Sequence, residues 1–176
     1  MPGPTAEQSQ QVRGYIIAQA AKLSIPELVA KVRNDVQPLR EAAFAVPAVR
    51  FAERPAEGDW SAAEVFTHVL EMNEHGAASI EGIIATRSRP PAIADLMTGE
   101  SRAGLATAAD YWAAFSARRE SLLATVLASH GDEHPEVTIN HPWFGDLSWR
   151  EWFLFMRVHD LDHTRQIQAI AAAFTV

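Results

Sequence analysis

Three times along the chain a serine stands three residues ahead of a glutamate at the start of an apolar-periodic run: Ser24 with Glu27, Ser61 with Glu64, and Ser148 with Glu151. This spacing lets the serine oxygen and the glutamate carboxylate satisfy amides that a helix leaves free at its first turn. Three such starts, widely separated, commit the chain to long helices. Pro26 inside the first turn of the first run agrees, because its missing N–H costs nothing there.

After the first start, Leu28, Val32, Val36, Leu39 and Ala43 keep helical spacing, and Pro38 predicts a kink or break near the middle. The second start opens a run to about residue 87 that carries Val65, Val69, Met72, Ile80 and Ile83 on one face. Pro90 and Pro91, in RPPAIADLMTGES, end it. A third helix is expected over about 103 to 129, with Leu105, Ala108, Trp112, Phe115, Leu122 and Val126 on one side and Gly131 just past its end. The last runs from Ser148 to about residue 173. Residues 5 to 22 read as an extra outer helix, and GDEHPEVTINHPWFGDL as a loop holding a short hairpin. Four main helices predict an all-α four-helix bundle. The connection between the second and third is long enough to cross the bundle end, so a simple up-down-up-down order is not required.

The 176 residues suit one domain, 1–176, with 1–24 as an N-terminal extension. Twenty-two acidic residues against fifteen basic ones give a net charge of -7, and no basic run appears. A nucleic-acid partner is therefore not expected, since phosphate binding needs a concentrated basic surface. The chain has no cysteine, which excludes a thiolate zinc site, a disulfide framework and a cysteine nucleophile. Any thiol chemistry would need the thiol from a second molecule. The first residues carry no signal-peptide pattern, and no apolar stretch approaches the roughly 20 residues of a membrane span. The expected address is the cytoplasm, with no membrane partner.

The stretch VHDLDHTRQ holds His159 and His163, four residues apart. On a helix they sit about 40° apart and one turn along, a spacing from which two imidazoles reach one metal. Trp152, Met156, Ile167 and Ile170 share their arc, whereas Arg150, Arg157 and Arg165 fall on the opposite side, which reads as the solvated face. The two histidines therefore point inward, either as core imidazoles satisfied by hydrogen bonds or as ligands. Asp160 and Asp162, at the borders of the stripe, read as surface partners or as acceptors for ligand N–H groups.

His68, two turns inside the second helix, supplies a third nitrogen and leaves coordination positions open for water or substrate, as catalytic metals need. His75 lies about 10 Å further along the axis, too far for a fourth. His130 reads as a helix-end cap. His134 and His141, beside prolines, read as solvated loop residues. Arg119 falls on the apolar arc of its helix and either snorkels or clamps a carboxylate of a bound small molecule. Glu71 and Glu64 are candidate general bases, with Glu64 open to capture by its own capping box. Trp143, Trp149 and Trp152 cluster at the entrance to the last helix, and not all can face the core; an exposed one suggests a homodimer interface or a ligand rim.

Trp60 and Ser61 at a helix start, a histidine seven residues after that serine, and a last helix bearing His159, His163 and Gln166 together resemble the DinB/YfiT-like superfamily of metalloenzymes over about residues 25 to 172. The resemblance implies an up-down-down-up four-helix bundle with a divalent metal held by three histidines, here His68, His159 and His163. Zinc and nickel both suit imidazole ligands. Members have been described as metal-dependent hydrolases by analogy. Better understood relatives are S-transferases or isomerases that use bacillithiol, mycothiol or glutathione. The mycothiol-dependent maleylpyruvate isomerase branch has glutamate where His159 stands, so this chain follows the all-histidine pattern. The resulting expectation is a divalent-metal-binding, metal-dependent transferase acting on a small-molecule substrate with a low-molecular-weight thiol. The alternatives are a metal-dependent hydrolase or a non-enzymatic metal- or small-molecule-binding protein.

Overall fold

The computed structural model describes residues 4–88 and 102–175. Six α-helices and one hairpin follow in the order α1 (Ala6–Lys22), α2 (Ile25–Asn34), α3 (Gln37–Ala45), α4 (Ala62–Thr86), α5 (Ala108–Leu127), β1 (Thr138–His141), β2 (Gly145–Ser148) and α6 (Trp149–Ala173). The expected RPPAIADLMTGES interruption lies outside the described residues.

The three anticipated starts are helix N-termini. The Ser61 amide donates to Glu64 Oε2 at 2.7 Å while Glu64 N donates to Ser61 Oγ at 3.2 Å. At Ser24 both the amide and the hydroxyl donate to the Glu27 carboxylate, and the Ser148 amide donates to Glu151. Two further boxes, Thr5 with Gln8 and Thr107 with Asp110, open α1 and α5. The second moves the start of α5 from the expected residue 103 to Ala108. Pro38 breaks the first main helix into α2 and α3. Its ring would clash with the carbonyl four residues back, which is that of Asn34, the last residue of α2.

Helix directions follow from the pairings between helices. Thr67 meets Tyr111, Asn73 meets the Phe115 carbonyl, and Glu81 meets Arg118, so α4 and α5 run parallel. His68 faces His159, and Gly76 faces Trp152, so α4 and α6 are antiparallel. Asp35 meets Arg157 and Arg50 lies over the Phe174 ring, so the α2–α3 arm runs with α6. Arg33 meets Glu120 and Phe51 stacks near Tyr111, so the same arm opposes α5. The order is up-down-down-up.

The core divides into two apolar clusters. One joins Leu28 and Val32 of α2 to Ile80, Leu122, Trp149 and Trp152. The other joins Leu39 of α3 to Phe66, Tyr111, Phe115 and Ile167. Between them, at the waist, lies a buried polar layer. Arg119, 2% exposed, donates from Nε to Asn73 Oδ1 at 2.7 Å and from Nη1 to Asp160 Oδ2 at 2.8 Å. Its guanidinium carbon also sits 4.8 Å from the Phe115 ring centre. Arg119 does not snorkel: the waist lies too deep for the head group to reach water, and Asp160 is there to receive it. Asp160 is likewise no border residue but is 2% exposed.

The arginine face of α6 is also only partly solvated. Arg150 donates to the carbonyls of Ala20 and Leu23, at 2.8 and 2.6 Å from Nη2, and to that of Gly131. It thereby satisfies carbonyls that α1 leaves free at its C-terminus. Arg157 pairs with Asp35 and reaches the Tyr15 hydroxyl. Arg165 alone of the three stays exposed. The outer helix α1 covers the face that periodicity marked as open.

Removing one partner of a buried ion pair strands the other charge, at a cost of about 3–5 kcal/mol, whereas replacing both by apolar groups is near neutral. Asp160→Ala is therefore expected to lose stability in that range in urea unfolding. An Arg119→Met/Asp160→Leu double variant should recover most of the loss.

Candidate metal centre

His68 sits on α4, two turns from the cap that Ser61 and Glu64 form. His159 and His163 sit one turn apart on α6. Because α4 and α6 are antiparallel neighbours, the three rings meet across their seam, with centroids 4.9 Å (His68–His159), 4.8 Å (His68–His163) and 4.4 Å (His159–His163) apart. One nitrogen from each lies within 4.8 Å of the others, and His159 Nε2 is 3.0 Å from His68 Nε2. His68 is 7% exposed, and its ring meets the Trp60 indole edge-on at 6.0 Å.

Burial sets the charge state here. Desolvation, reinforced by the neighbouring imidazoles and Arg119, holds His159 well below the usual imidazole range. Desolvation likewise pushes His163 down to about 4, with His68 acting in the same direction and Gln166 and Asp162 opposing. Both rings are neutral at neutral pH and can offer lone pairs. Three imidazoles converging on one point could hold a metal ion. The donor set fits a borderline divalent cation, because it contains only imidazole nitrogens.

Other candidates fall around this group. Glu71, partly buried, stands one turn beyond His68 on α4 and within electrostatic reach of Arg102, which pairs with Glu74 at 2.6 Å. Glu64 is taken up by the Ser61 amide and by Arg54, whose hydrogen bond holds its carboxyl below the usual range. Arg119 grips a carboxylate, that of Asp160. His75 is outside the converging group, and burial lowers its pKa.

His141 differs from the expectation of a solvated loop residue. It ends β1, is 8% exposed, and packs between Phe144 and Phe155 with ring centres 4.5 Å away from each. Its Nδ1 accepts from the amides of Trp143 and Phe144 at 3.1 and 3.3 Å. Desolvation pushes its pKa down to about 4, and a proton on Nδ1 would also oppose two N–H donors. Only the hairpin, which folds this residue over the start of α6, could reveal that burial. Of the clustered tryptophans, Trp149 and Trp152 are each 1% exposed and Trp143 is 55% exposed.

An all-helical bundle with three imidazoles converging between two of its helices belongs to the class of helical proteins with a candidate metal centre. The family model of the DinB superfamily matches residues 33–167, a span that includes all three histidines. The chain belongs to the DinB superfamily. No curated protein matches it. Among the described residues, no helix is long and apolar enough to cross a membrane.

The sign of the pH dependence follows from His141. Its folded pKa of about 4 lies below the ordinary 6.5, so on acidification the unfolded chain takes up the proton first. This contribution is complete above pH about 6.5 and is lost as pH falls towards about 4, on the order of 3 kcal/mol in total. In metal-free protein, His141→Asn keeps an acceptor for the two amides but removes the titration. Urea unfolding should show a variant weaker at neutral pH and with a shallower loss of stability on acidification.

Proposed function

We propose that His68, His159 and His163 hold one divalent ion, zinc or nickel, and that the protein is a metal-dependent transferase acting with a low-molecular-weight thiol. The observation that carries this reading is the convergence of three imidazoles, two of them kept neutral by burial, with no carboxylate or thiolate among them. A divalent ion held by neutral ligands keeps its full charge, and so lowers the pKa of a coordinated thiol or water towards neutrality. The chain has no cysteine, so the thiol comes from outside. Three protein ligands leave positions at which it could bind.

The remaining roles belong to the chain. The Trp60 edge and the Phe155 ring, the latter 5.9 Å from His159, restrict water around the imidazoles. Met72 and Met156 continue the α4–α6 seam beneath them and provide an apolar, adaptable wall for a small electrophile. Glu71 is the candidate general base, at the margin of the group and partly open to solvent. The waist arginine Arg119, already paired to Asp160, contributes positive potential near His159. The exposed Trp143 ring extends the reading to a homodimer, since large aromatics left at a surface mark interfaces.

Metal analysis of the purified protein should give about one ion per chain by the three-ligand argument. A His159→Ala/His163→Ala double variant should lose it while keeping its helical circular dichroism. Full metal retention in that variant would rule out the centre. With bacillithiol, mycothiol, glutathione or no thiol against one panel of electrophiles, at least one thiol should support transfer that His68→Ala abolishes. Thiol-independent cleavage of esters or amides would replace the transferase reading with the hydrolase. Metal binding without turnover of any kind would leave a binding protein.

A further inference from the structure

Gln166 is used by none of the roles above, yet its side chain contacts one of the converging imidazoles from outside the group. Its Oε1 lies 2.9 Å from His163 Nδ1. It stands one turn beyond His163 on α6, and both side chains are partly buried. An amide oxygen can only accept, so this contact requires His163 to carry its proton on Nδ1. The lone pair of the ring is then on Nε2. His68 and His159 already meet through Nε2 at 3.0 Å, so an Nε2 lone pair on His163 completes a set of like atoms.

The opposite orientation of the amide has the opposite consequence. Were Gln166 to donate to Nδ1, His163 would hold its proton on Nε2 and direct an N–H at the place a cation would take. Gln166 thus decides whether the third imidazole is a ligand or a competitor. We propose that Gln166 is a positioning residue of the metal centre, locking His163 in the Nδ1–H tautomer through its side-chain oxygen. This inference rests on the metal-binding reading and adds a residue to it.

A neutral amide is also a distinctive choice for the task. Carboxylates are the frequent outer partners of metal-bound histidines and make the imidazole a stronger donor. The amide fixes the ring without adding negative charge. Asp162, the nearby carboxylate on the same helix, is exposed and acts on His163 only through its field. The centre therefore keeps a net charge suited to drawing protons from a coordinated thiol or water.

The test uses the full-length protein and four chains: wild type, Gln166→Leu, Gln166→Glu, and Gln168→Leu as a control on an exposed neighbouring position. Nitrogen-15 NMR of metal-free protein reports the His163 tautomer without any metal or activity. Wild type and Gln166→Glu should show a single Nδ1–H form, and Gln166→Leu a mixture. Competition with a chromophoric chelator for Zn(II) and for Ni(II) then reads affinity. Gln166→Leu should weaken it roughly 10–100-fold, as loss of an outer partner does, with Gln166→Glu restoring it and the control unchanged. An Nε2–H tautomer in the wild type, or Gln166→Leu affinity within about twofold of wild type, would overturn the role of Gln166 while leaving the centre intact. Absence of Zn(II) and Ni(II) binding in every chain would overturn the metal reading itself, and this role with it.

Discussion

The ion pair between Arg119 and Asp160 is the contact on which the arrangement of this bundle turns. A guanidinium and a carboxylate held between two apolar clusters cannot slide past their partners, because each would be left as a bare charge in a medium that cannot solvate it. Arg119 reaches from α5 to α6 and, through Asn73, to α4, so a single side chain ties three helices at one level. Apolar contacts alone tolerate some rotation and register slip, and this layer does not. With Asp160 turned towards Arg119 of α5, its neighbour His159 lies about 100° round the helix, facing α4. The waist thereby aims α6 at His68.

The same burial shapes the chemistry of the imidazoles. Desolvation disfavours a charged ring, and the rings disfavour charge on one another, so His159 and His163 are ready to donate lone pairs at neutral pH. Arg119 adds positive potential in the same direction. His159 Nε2 and His68 Nε2 stand 3.0 Å apart, a separation at which one ring's N–H can donate to the other's lone pair.

Much of this was legible in the linear chain because helix starts are local. The Ser24, Ser61 and Ser148 caps, the Pro38 break and the inward arc of His159 and His163 depend on neighbours within about one turn, and the sequence displays those neighbours directly. The Thr107–Asp110 and Thr5–Gln8 boxes obey the same rule in other residue types. The Ser-x-x-Glu spacing does not mark these starts, so α5 begins at Ala108, later than periodicity alone suggests. The hairpin was visible for a similar reason, as a short extended run between turn residues. The resemblance to the DinB superfamily, carried by spacing within two helices, holds for the same reason.

What could not be read locally are the partners. Periodicity marks Arg119 as inward but cannot say that Asp160 awaits it from forty-one residues away. It marks Arg150 and Arg157 as outward but not that α1 folds back over them. It leaves His141 in a loop until the hairpin closes over α6 and encloses it in aromatic rings. The sequence by itself determined where helices begin, where one breaks and which face of each is apolar, since those depend on backbone hydrogen bonds and side-chain spacing within a turn. Only the tertiary structure decided which charges are buried, which imidazoles stay neutral and which nitrogens converge. Desolvation and pairing arise only when distant segments share the same few ångströms.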